Sequence, residues 1–164
     1  MRTMLSFLMA AMFSVAAQAQ QVERIDITEA GIYRSEITGS AASPGTPTGK
    51  TNIVAGVTLI QKTTTIPVAL GTSFGFRYVV VGQPNDAAVA LRVVSHYPSP
   101  GLRDPATGNT YMRSEYSVQK KLGVETYKGY SFEHAWEQVA GTWTFEVWQG
   151  DRKLGAQSFT VVKP

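Results

Sequence analysis

The chain of 164 residues contains no cysteine, and its 15 Lys or Arg against 12 Asp or Glu give a formal net charge of +3. The missing cysteines exclude disulfide bonds, so packing alone must stabilise the fold in either redox compartment. The basic residues are scattered, with adjacent pairs only at Lys120–Lys121 and Arg152–Lys153. Such scatter does not provide the clustered basic face typical of nucleic-acid or anionic-membrane binding.

The first 19 residues have the features of a cleaved signal peptide. Met1–Thr3 includes the basic Arg2, residues 4–16 are apolar apart from two serines, and Ala17–Ala19 is a small-x-small cleavage site. The apolar run is shorter than the roughly 20 residues of a transmembrane helix, although a retained anchor is the alternative. We therefore expect cleavage after Ala19, a periplasmic or secreted protein, and no transmembrane segment in residues 20–164.

The beginning of the mature chain predicts two strands joined by a flexible loop. Residues 20–38 indicate an opening strand with a kink or bulge at Gly31. Residues 39–51 include five Gly or Pro and no large apolar side chain, which favours a flexible loop because little burial can offset its ordering entropy. Residues 52–62 carry apolar residues on both parities, as expected of a strand covered on both sides.

The middle of the chain predicts the strands of the core. Pro67 cannot donate a hydrogen bond to a ladder, so residues 65–71 are expected at a sheet edge. Residues 74–81 then alternate with period two, and residues 89–97 form the next strand. The side chains expected to point inward from the first of these strands are Phe74, Phe76, Tyr78 and Val80.

The final third predicts a long loop, an outer strand, a further strand and a closing hairpin. Residues 98–110 contain three prolines, which rule out a helix or a central strand. Residues 111–121 suit an outer strand, and the alternation from Tyr130 to Trp136 predicts that His134 packs in the core or at its rim. Residues 141–164 form the closing hairpin, with a turn at 149–152 and a bulge at Gly155.

These elements define the expected fold class. Seven to eight short strands with Gly, Pro and Asn turns, and no helical period, predict an all-β protein. We expect residues 20–164 to form a single immunoglobulin-like antiparallel β-sandwich domain, with a small β-barrel as the alternative.

Two segments resemble a known family. The phrase from Trp136 to Leu154, followed by Gln157–Val161, is similar to the C-terminal hairpin of a small exported bacterial family known as a domain of unknown function. The segment Ile66–Tyr78, with its Phe-Gly-Phe motif, is similar to a strand of the same family. The resemblance implies an immunoglobulin-like β-sandwich in the cell envelope and implies no catalytic residue.

The residue types needed for catalysis do not form a convincing set. Gly71–Gly75 fits the G-x-S-x-G motif around Ser73, but a β-branched strand follows, where a nucleophile elbow requires a helix. Two histidines on separate strands do not predict a metal site, and the carboxylates do not form a recognisable glycosidase pair. We therefore expect no enzyme activity, no catalytic residues, no metal and no cofactor, with a small serine hydrolase as the least favoured alternative.

Aromatic residues and the second long loop supply the candidate binding residues. Trp148 occupies one of the alternate positions of its strand that point away from the apolar face. An exposed Trp near a Tyr is suited to stacking on a sugar or anchoring a partner. Long loops on a rigid sandwich commonly carry binding residues. The candidates are Tyr97, Arg103, Asp104, Tyr111 and Trp148.

The sequence therefore favours a non-enzymatic exported module that binds a protein or an envelope component, with no nucleic acid among its partners. A carbohydrate-binding module that recognises an envelope glycan through Trp148 is the main alternative. Pairing of a sheet edge with another chain is a third mode of binding, suggested by the strand at Pro67 and by the opening strand.

Overall fold

The computed structural model describes residues 21–163, so the expected signal peptide at 1–19 lies outside the described residues. Eight long and three short strands form in this range, together with a 3₁₀ turn at Ala135–Glu137. The strands are β1 (Gln21–Ala42), β2 (Lys50–Lys62), β3 (Thr65–Pro67), β4 (Ser73–Gln83), β5 (Ala88–His96), β6 (Leu102–Arg103), β7 (Thr110–Tyr111), β8 (Arg113–Lys121), β9 (Glu125–Ser131), β10 (Gly141–Gln149) and β11 (Arg152–Val162).

The long strands form two open sheets. The first sheet has the order β2-β1-β4-β9, and the second has the order β3-β11-β10-β5-β8. All pairings are antiparallel except that of β3 with β11, and β6 pairs only with β7. This arrangement confirms the expected all-β sandwich, and the two open sheets exclude the closed barrel. Pro67 is at the edge of the second sheet, as predicted, because it cannot donate to a ladder.

The core lies where the apolar face predicted for β4 meets the apolar face of β10. Phe74, Phe76, Tyr78 and Val80 of β4 are fully buried, as are Trp143, Phe145 and Val147 of β10. Period-two alternation places these side chains on the inner faces of opposite sheets. The alternation over residues 74–80 and 143–147 therefore predicts these core positions correctly.

The Phe74 ring is at the centre of this core. Its centroid lies 5.3 Å from that of Phe159, 5.7 Å from that of Trp143 and 5.9 Å from that of Phe145, all in the second sheet. It also lies 5.4 Å from the centroid of Phe132, which follows β9. Tilted and edge-on aromatic contacts at these separations add to the stabilisation from area burial.

A row of three glycines crosses the outer face of the first sheet. Gly31 of β1 pairs with Gly75 of β4, which pairs with Gly129 of β9. A Cβ atom at Gly75 would lie only 2.6 Å from the Cα of Gly129. The Tyr127 ring occupies the space above Gly129 and contacts the ring of Tyr33, with centroids 4.8 Å apart. The small residues therefore let the neighbouring backbone and the tyrosine approach closely.

The opening strand differs from its prediction in extent. β1 runs without a break to Ala42, pairing first with β4 and then with β2. One register shift lies between Ile32 and Tyr33, one residue after the expected kink at Gly31, and further shifts follow. These bulges distort the long strand while its pairing is maintained.

The predicted flexible loop at 39–51 is instead the end of a β-hairpin. Residues 39–42 pair with residues 50–53, and Ser43–Gly49 forms the turn. The Ser43 amide donates to the Gly49 carbonyl at 2.8 Å, and the Thr46 hydroxyl donates to the Ser43 carbonyl at 2.8 Å. Hydrogen bonds order this segment, and the apolar content on which the prediction relied does not reveal them.

The closing hairpin has the predicted turn and bulge. Val147 pairs with Gly155 and Trp148 with Lys153, so Leu154 is the extra residue beside Gly155. The side chain of Ile25 in β1 fills the space beside Gly155, 2.6 Å from where a Cβ atom would lie. The hairpin therefore packs closely against the first strand.

None of the helical turns within residues 21–163 has the length and apolar character that a membrane-crossing helix requires.

We predict that Gly75→Ala lowers the free energy of unfolding by about 1–3 kcal/mol, because the added methyl group overlaps the β9 backbone. Gly39→Ala is the matched control, since its Cβ would meet only the Ile53 side chain, at 3.7 Å. Urea unfolding followed by tryptophan fluorescence measures both changes. Equal stability of the two variants would contradict the close approach at the glycine row.

Candidate functional site

Three irregular segments come together at one end of the sandwich and form an open groove. They are the turn of the β1–β2 hairpin, the turn between β6 and β7, and the 3₁₀ turn after β9. The lining residues are Pro44, Thr46–Lys50, Asp104–Thr107, Tyr111, His134 and Trp136. Two of the residues predicted from the sequence, Asp104 and Tyr111, therefore lie in one groove.

The 3₁₀ turn exists because a buried carboxylate organises it. The Glu137 Oε2 atom accepts hydrogen bonds from the amides of Glu133 and His134, at 2.8 and 2.7 Å. These bonds end the strand at Ser131 and begin the turn. The prediction that His134 packs in the core or at its rim is therefore wrong: His134 is exposed and stacks on Trp136, with ring centroids 5.7 Å apart and planes at 6°.

Asp104 shapes its own turn. Its carboxylate accepts hydrogen bonds from the Ala106 amide at 2.9 Å and the Thr107 hydroxyl at 2.7 Å. The hydroxyl of Thr107, followed by the amide of Ala106, lowers the pKa of Asp104. Arg103 is exposed on β6, next to this turn. The predicted loop at 98–110 is thus held by β6, β7 and an aspartate-centred turn.

A second concave feature, the inter-sheet cavity, lies beneath the same hairpin turn. It has a volume of about 160 Å³ and opens between β9, at the edge of the first sheet, and β8, at the edge of the second. The turn reaches β8, since a Cβ atom at Gly45 would lie 2.8 Å from the Glu115 carbonyl oxygen. The segment Thr46–Lys50 borders both the cavity and the groove.

The cavity wall carries several hydroxyl groups. Tyr97 is buried, and its hydroxyl pairs with that of Ser114 at 2.6 Å. Burial raises the pKa of Tyr97 to about 12. Ser95, Tyr116, Tyr130 and Ser131 also line this space. Tyr97 therefore contributes to the cavity and is not exposed beside the loop.

Glu137 joins the cavity to the groove. Its Oε1 atom accepts a hydrogen bond from the Tyr130 hydroxyl at 2.6 Å, and its side chain is almost fully buried. Burial raises the pKa of Glu137 above its ordinary value of 4.5, and the three donated hydrogen bonds offset only part of that effect.

Trp148 lies apart from both features, on the outer face of the second sheet. The guanidinium of Arg92 and the ammonium of Lys153 lie over its ring, 5.2 and 5.8 Å from the centroid. Its indole N–H donates to Glu146 at 2.8 Å. Burial alone would raise the pKa of Glu146, but hydrogen bonds from Trp148, His96 and Lys153 keep it below its ordinary value. Two cations thus occupy positions over the ring on which a sugar would stack.

Three features of the groove and the cavity are not predicted by the sequence reasoning. The alternation continues past Ser131 and therefore predicts a strand where the structure has the His134–Trp136 stack. Lys128 is buried in the cavity wall, although its inward parity with Tyr130 and Phe132 could have indicated it. Residues of the 43–50 turn line the groove and the cavity because the turn contacts β8, which is distant in sequence. The local sequence carries no signal for this contact.

The motif around Ser73 has a structural role. β4 begins at Ser73 and continues as a strand, and the Ser73 hydroxyl pairs with that of Ser131 at 2.6 Å. A nucleophile elbow requires a helix at this point. In the described part of the chain, no three His, Cys, Asp or Glu residues are grouped to hold a metal ion.

The fold and site define an immunoglobulin-like β-sandwich, and comparison with known proteins agrees. Residues 21–161 match the family model described as Domain of unknown function (DUF3859), and the chain belongs to this family. The family is consistent with the resemblance seen in the two sequence segments.

The chain is also similar to solved structures. A crystal structure of an immunoglobulin-like protein from Pseudomonas aeruginosa is 32% identical, covers 90% of this chain and 100% of that chain, and superposes with a TM-score of 0.60. A DNA-bound alkylpurine DNA glycosylase from Pseudomonas fluorescens is 11% identical over 81% of this chain and 30% of its own, with a TM-score of only 0.38. No match was found among curated proteins.

We predict that Glu137→Gln changes how stability depends on pH. The folded pKa of Glu137 is raised, so ionisation of this residue opposes folding, and its contribution to the free energy of unfolding falls as the pH rises from below 4.5 through the folded value. The neutral glutamine lacks this dependence. Urea unfolding of both proteins between about pH 4 and pH 8 should therefore show the wild type losing stability relative to the variant. A difference that is constant with pH would contradict the assignment.

Proposed function

We propose that the protein is an exported, non-enzymatic immunoglobulin-like module that binds a protein or an envelope component through the groove at the loop end of the sandwich. The observation that carries this proposal is the convergence of three loop segments around the His134–Trp136 stack. Loops held on a rigid sandwich are the usual location of binding residues in this class of fold.

The groove offers a surface suited to a partner that is partly apolar and partly polar. The stacked rings of His134 and Trp136 supply apolar area, and aromatic residues commonly anchor an interface. Asp104 and Lys50 place one acidic and one basic group on its border. Backbone hydrogen bonds hold the hairpin turn and the Asp104 turn, so little ordering entropy remains to be lost on binding.

Export is supported by the N-terminal sequence. Residues 1–19 combine a basic start, an apolar run and a small-x-small site, which is the pattern of a cleaved signal peptide. A chain without cysteine is compatible with an oxidising compartment. These properties favour a periplasmic or secreted protein whose partner is in the envelope.

A glycan is the second candidate ligand, and a specific observation favours it. The His134–Trp136 stack faces an open groove together with Tyr111, and aromatic rings in such a groove provide stacking surfaces for sugar rings. This candidate differs from the sugar site expected at Trp148, where Arg92 and Lys153 cover the ring.

We predict that Trp136→Ala and His134→Ala each weaken binding to envelope proteins or isolated envelope glycans by about tenfold or more, because each removes one half of the stacked pair. The matched controls are Trp148→Ala and His96→Ala, which make the same changes on the outer face of the second sheet. Biolayer interferometry against fractionated envelope material compares the four variants, and the melting temperature of each verifies folding. Loss of binding confined to the Trp148 and His96 variants would contradict a binding site in the groove. It would instead place the site on the outer face of the second sheet.

We predict that a fluorophosphonate probe for activated serines leaves the mature protein unlabelled. The reason is that Ser73 pairs with Ser131 at the start of a strand and lacks the setting of a nucleophile elbow. Labelling is measured by gel fluorescence beside a known serine hydrolase. Labelling that disappears in Ser73→Ala would show that the non-enzymatic assignment is wrong.

A further inference from the structure

Lys128 is a buried cation whose charge no residue of the described chain neutralises. Its side chain points between the sheets, and the residue is only 7% exposed. Its ammonium donates one hydrogen bond, to the Gly129 carbonyl at 2.9 Å. Across residues 21–163, the ion pairs do not include Lys128. Burial of a charge is costly unless a counter-charge or several hydrogen bonds accompany it.

Aromatic rings accommodate the cation only in part. The Lys128 ammonium lies 4.6 Å from the centroid of the Phe145 ring and 5.5 Å from that of Tyr116. Cation–π contacts of this kind stabilise an ammonium but leave its remaining N–H groups without acceptors. The same ammonium belongs to the wall of the inter-sheet cavity, so an acceptor can enter from that side.

The neighbouring groups in the cavity wall are suited to a carboxylate. Ser95, Tyr97 and Ser114 line it together with Lys128. The Tyr97 hydroxyl is hydrogen-bonded to the hydroxyls of both Ser114 and Ser95, so two of these three hydroxyl protons serve the mutual hydrogen bonds and one stays available for a ligand. An ammonium with nearby hydroxyl donors can replace the water that solvates a carboxylate.

A second observation points to a hydrogen-bond donor on the same ligand. Asn52, at the border of the cavity, donates through Nδ2 to Glu133, which fixes the orientation of its amide. Its Oδ1 atom is buried and has no donor among the described residues. A buried acceptor without a partner is costly, so a ligand that brings a hydroxyl or ammonium group would satisfy it.

Charge and volume restrict the ligand further. Lys50 is paired with Glu133, and Glu137 is a further acidic residue of the cavity wall. A dianion such as a phosphate monoester would therefore meet one unpaired cation, Lys128, and a nearby acidic residue, which disfavours it. A cavity of about 160 Å³ is close to the engineered cavity that holds a benzene molecule. A ligand with one carboxylate and about six non-hydrogen atoms therefore matches both limits.

We propose that the inter-sheet cavity binds a small monocarboxylate that also carries a hydroxyl or ammonium group, with the carboxylate on the Lys128 ammonium and the second group donating to Asn52 Oδ1. This site is distinct from the groove of the proposed function. Its ligand is recognised by Lys128, Asn52 and the hydroxyls of the wall, and a partner in the groove is recognised by His134 and Trp136.

Four probes of matched size test the proposal: propionate, lactate, alanine and propane-1,2-diol. Isothermal titration calorimetry with the mature protein measures each affinity. Lactate or alanine should bind with a dissociation constant of about 1 mM or lower. Propionate, which lacks the donor, should bind about tenfold more weakly, and the uncharged diol should not bind. Preference for lactate identifies a hydroxyl as the second group, and preference for alanine identifies an ammonium.

Two variants locate the site. Lys128→Met keeps the approximate length of the side chain and removes the charge. It should lower the affinities for lactate and alanine by at least tenfold. The matched control is Lys121→Met, an exposed lysine of β8, which should leave both affinities unchanged. Asn52→Ala should reduce the affinities for lactate and alanine to that of propionate and leave propionate unaffected. This variant tests the site even if Lys128→Met fails to fold.

The proposal is overturned if none of the three carboxylates binds, in which case the cavity holds water only. It is also overturned if Lys128→Met folds and binds as the wild type does, or if propionate and lactate bind equally and Asn52→Ala affects both alike. Because His134→Ala and Trp136→Ala lie outside the recognition set, they should retain lactate and alanine binding. Loss of groove binding alone therefore leaves this proposal standing.

Discussion

The Phe74 ring contacts Phe132 in its own layer and Trp143, Phe145 and Phe159 in the opposite sheet. These contacts join β4, a central strand of the first sheet, to the closing hairpin of the second. Every other feature depends on this contact, because a chain without disulfides has only packing to hold two sheets at a fixed separation. The edges of the sheets, where the cavity opens, keep their positions because the centre is filled.

Towards the edge that carries β8 and β9, the interior changes from aromatic to polar. Phe145 still faces Lys128, but Ser95, Ser114 and Tyr97 replace the apolar side chains that would complete the core. Each buried polar group in a sandwich costs free energy unless it is hydrogen-bonded. Such a concentration of polar groups at one place is therefore better suited to ligand binding than to stability.

The sequence predicted what depends on alternation and missed what depends on side-chain hydrogen bonds. Alternate residues from Phe74 to Val80 and from Trp143 to Val147 face inward, as the period-two pattern requires. Pro67 lies at a sheet edge because it has no backbone N–H to donate to a ladder. Apolar alternation predicts a strand that continues through His134, because it cannot show that Glu137 accepts hydrogen bonds from two backbone amides. Two of the predicted site residues, Asp104 and Tyr111, lie in the groove. Residues of the 43–50 turn also line it, but their position depends on contacts with residues distant in sequence, which local patterns do not indicate.

The segment Thr46–Lys50 forms a wall shared by two spaces, because its residues line both the inter-sheet cavity and the groove. A displacement of this wall therefore alters the shape of both spaces at once. Thermodynamic linkage makes any resulting coupling mutual: whatever occupies one space changes the affinity of the other by the same factor in each direction. If both spaces bind ligands as proposed, this hairpin turn is the segment of the described chain through which occupancy of the interior would reach the surface.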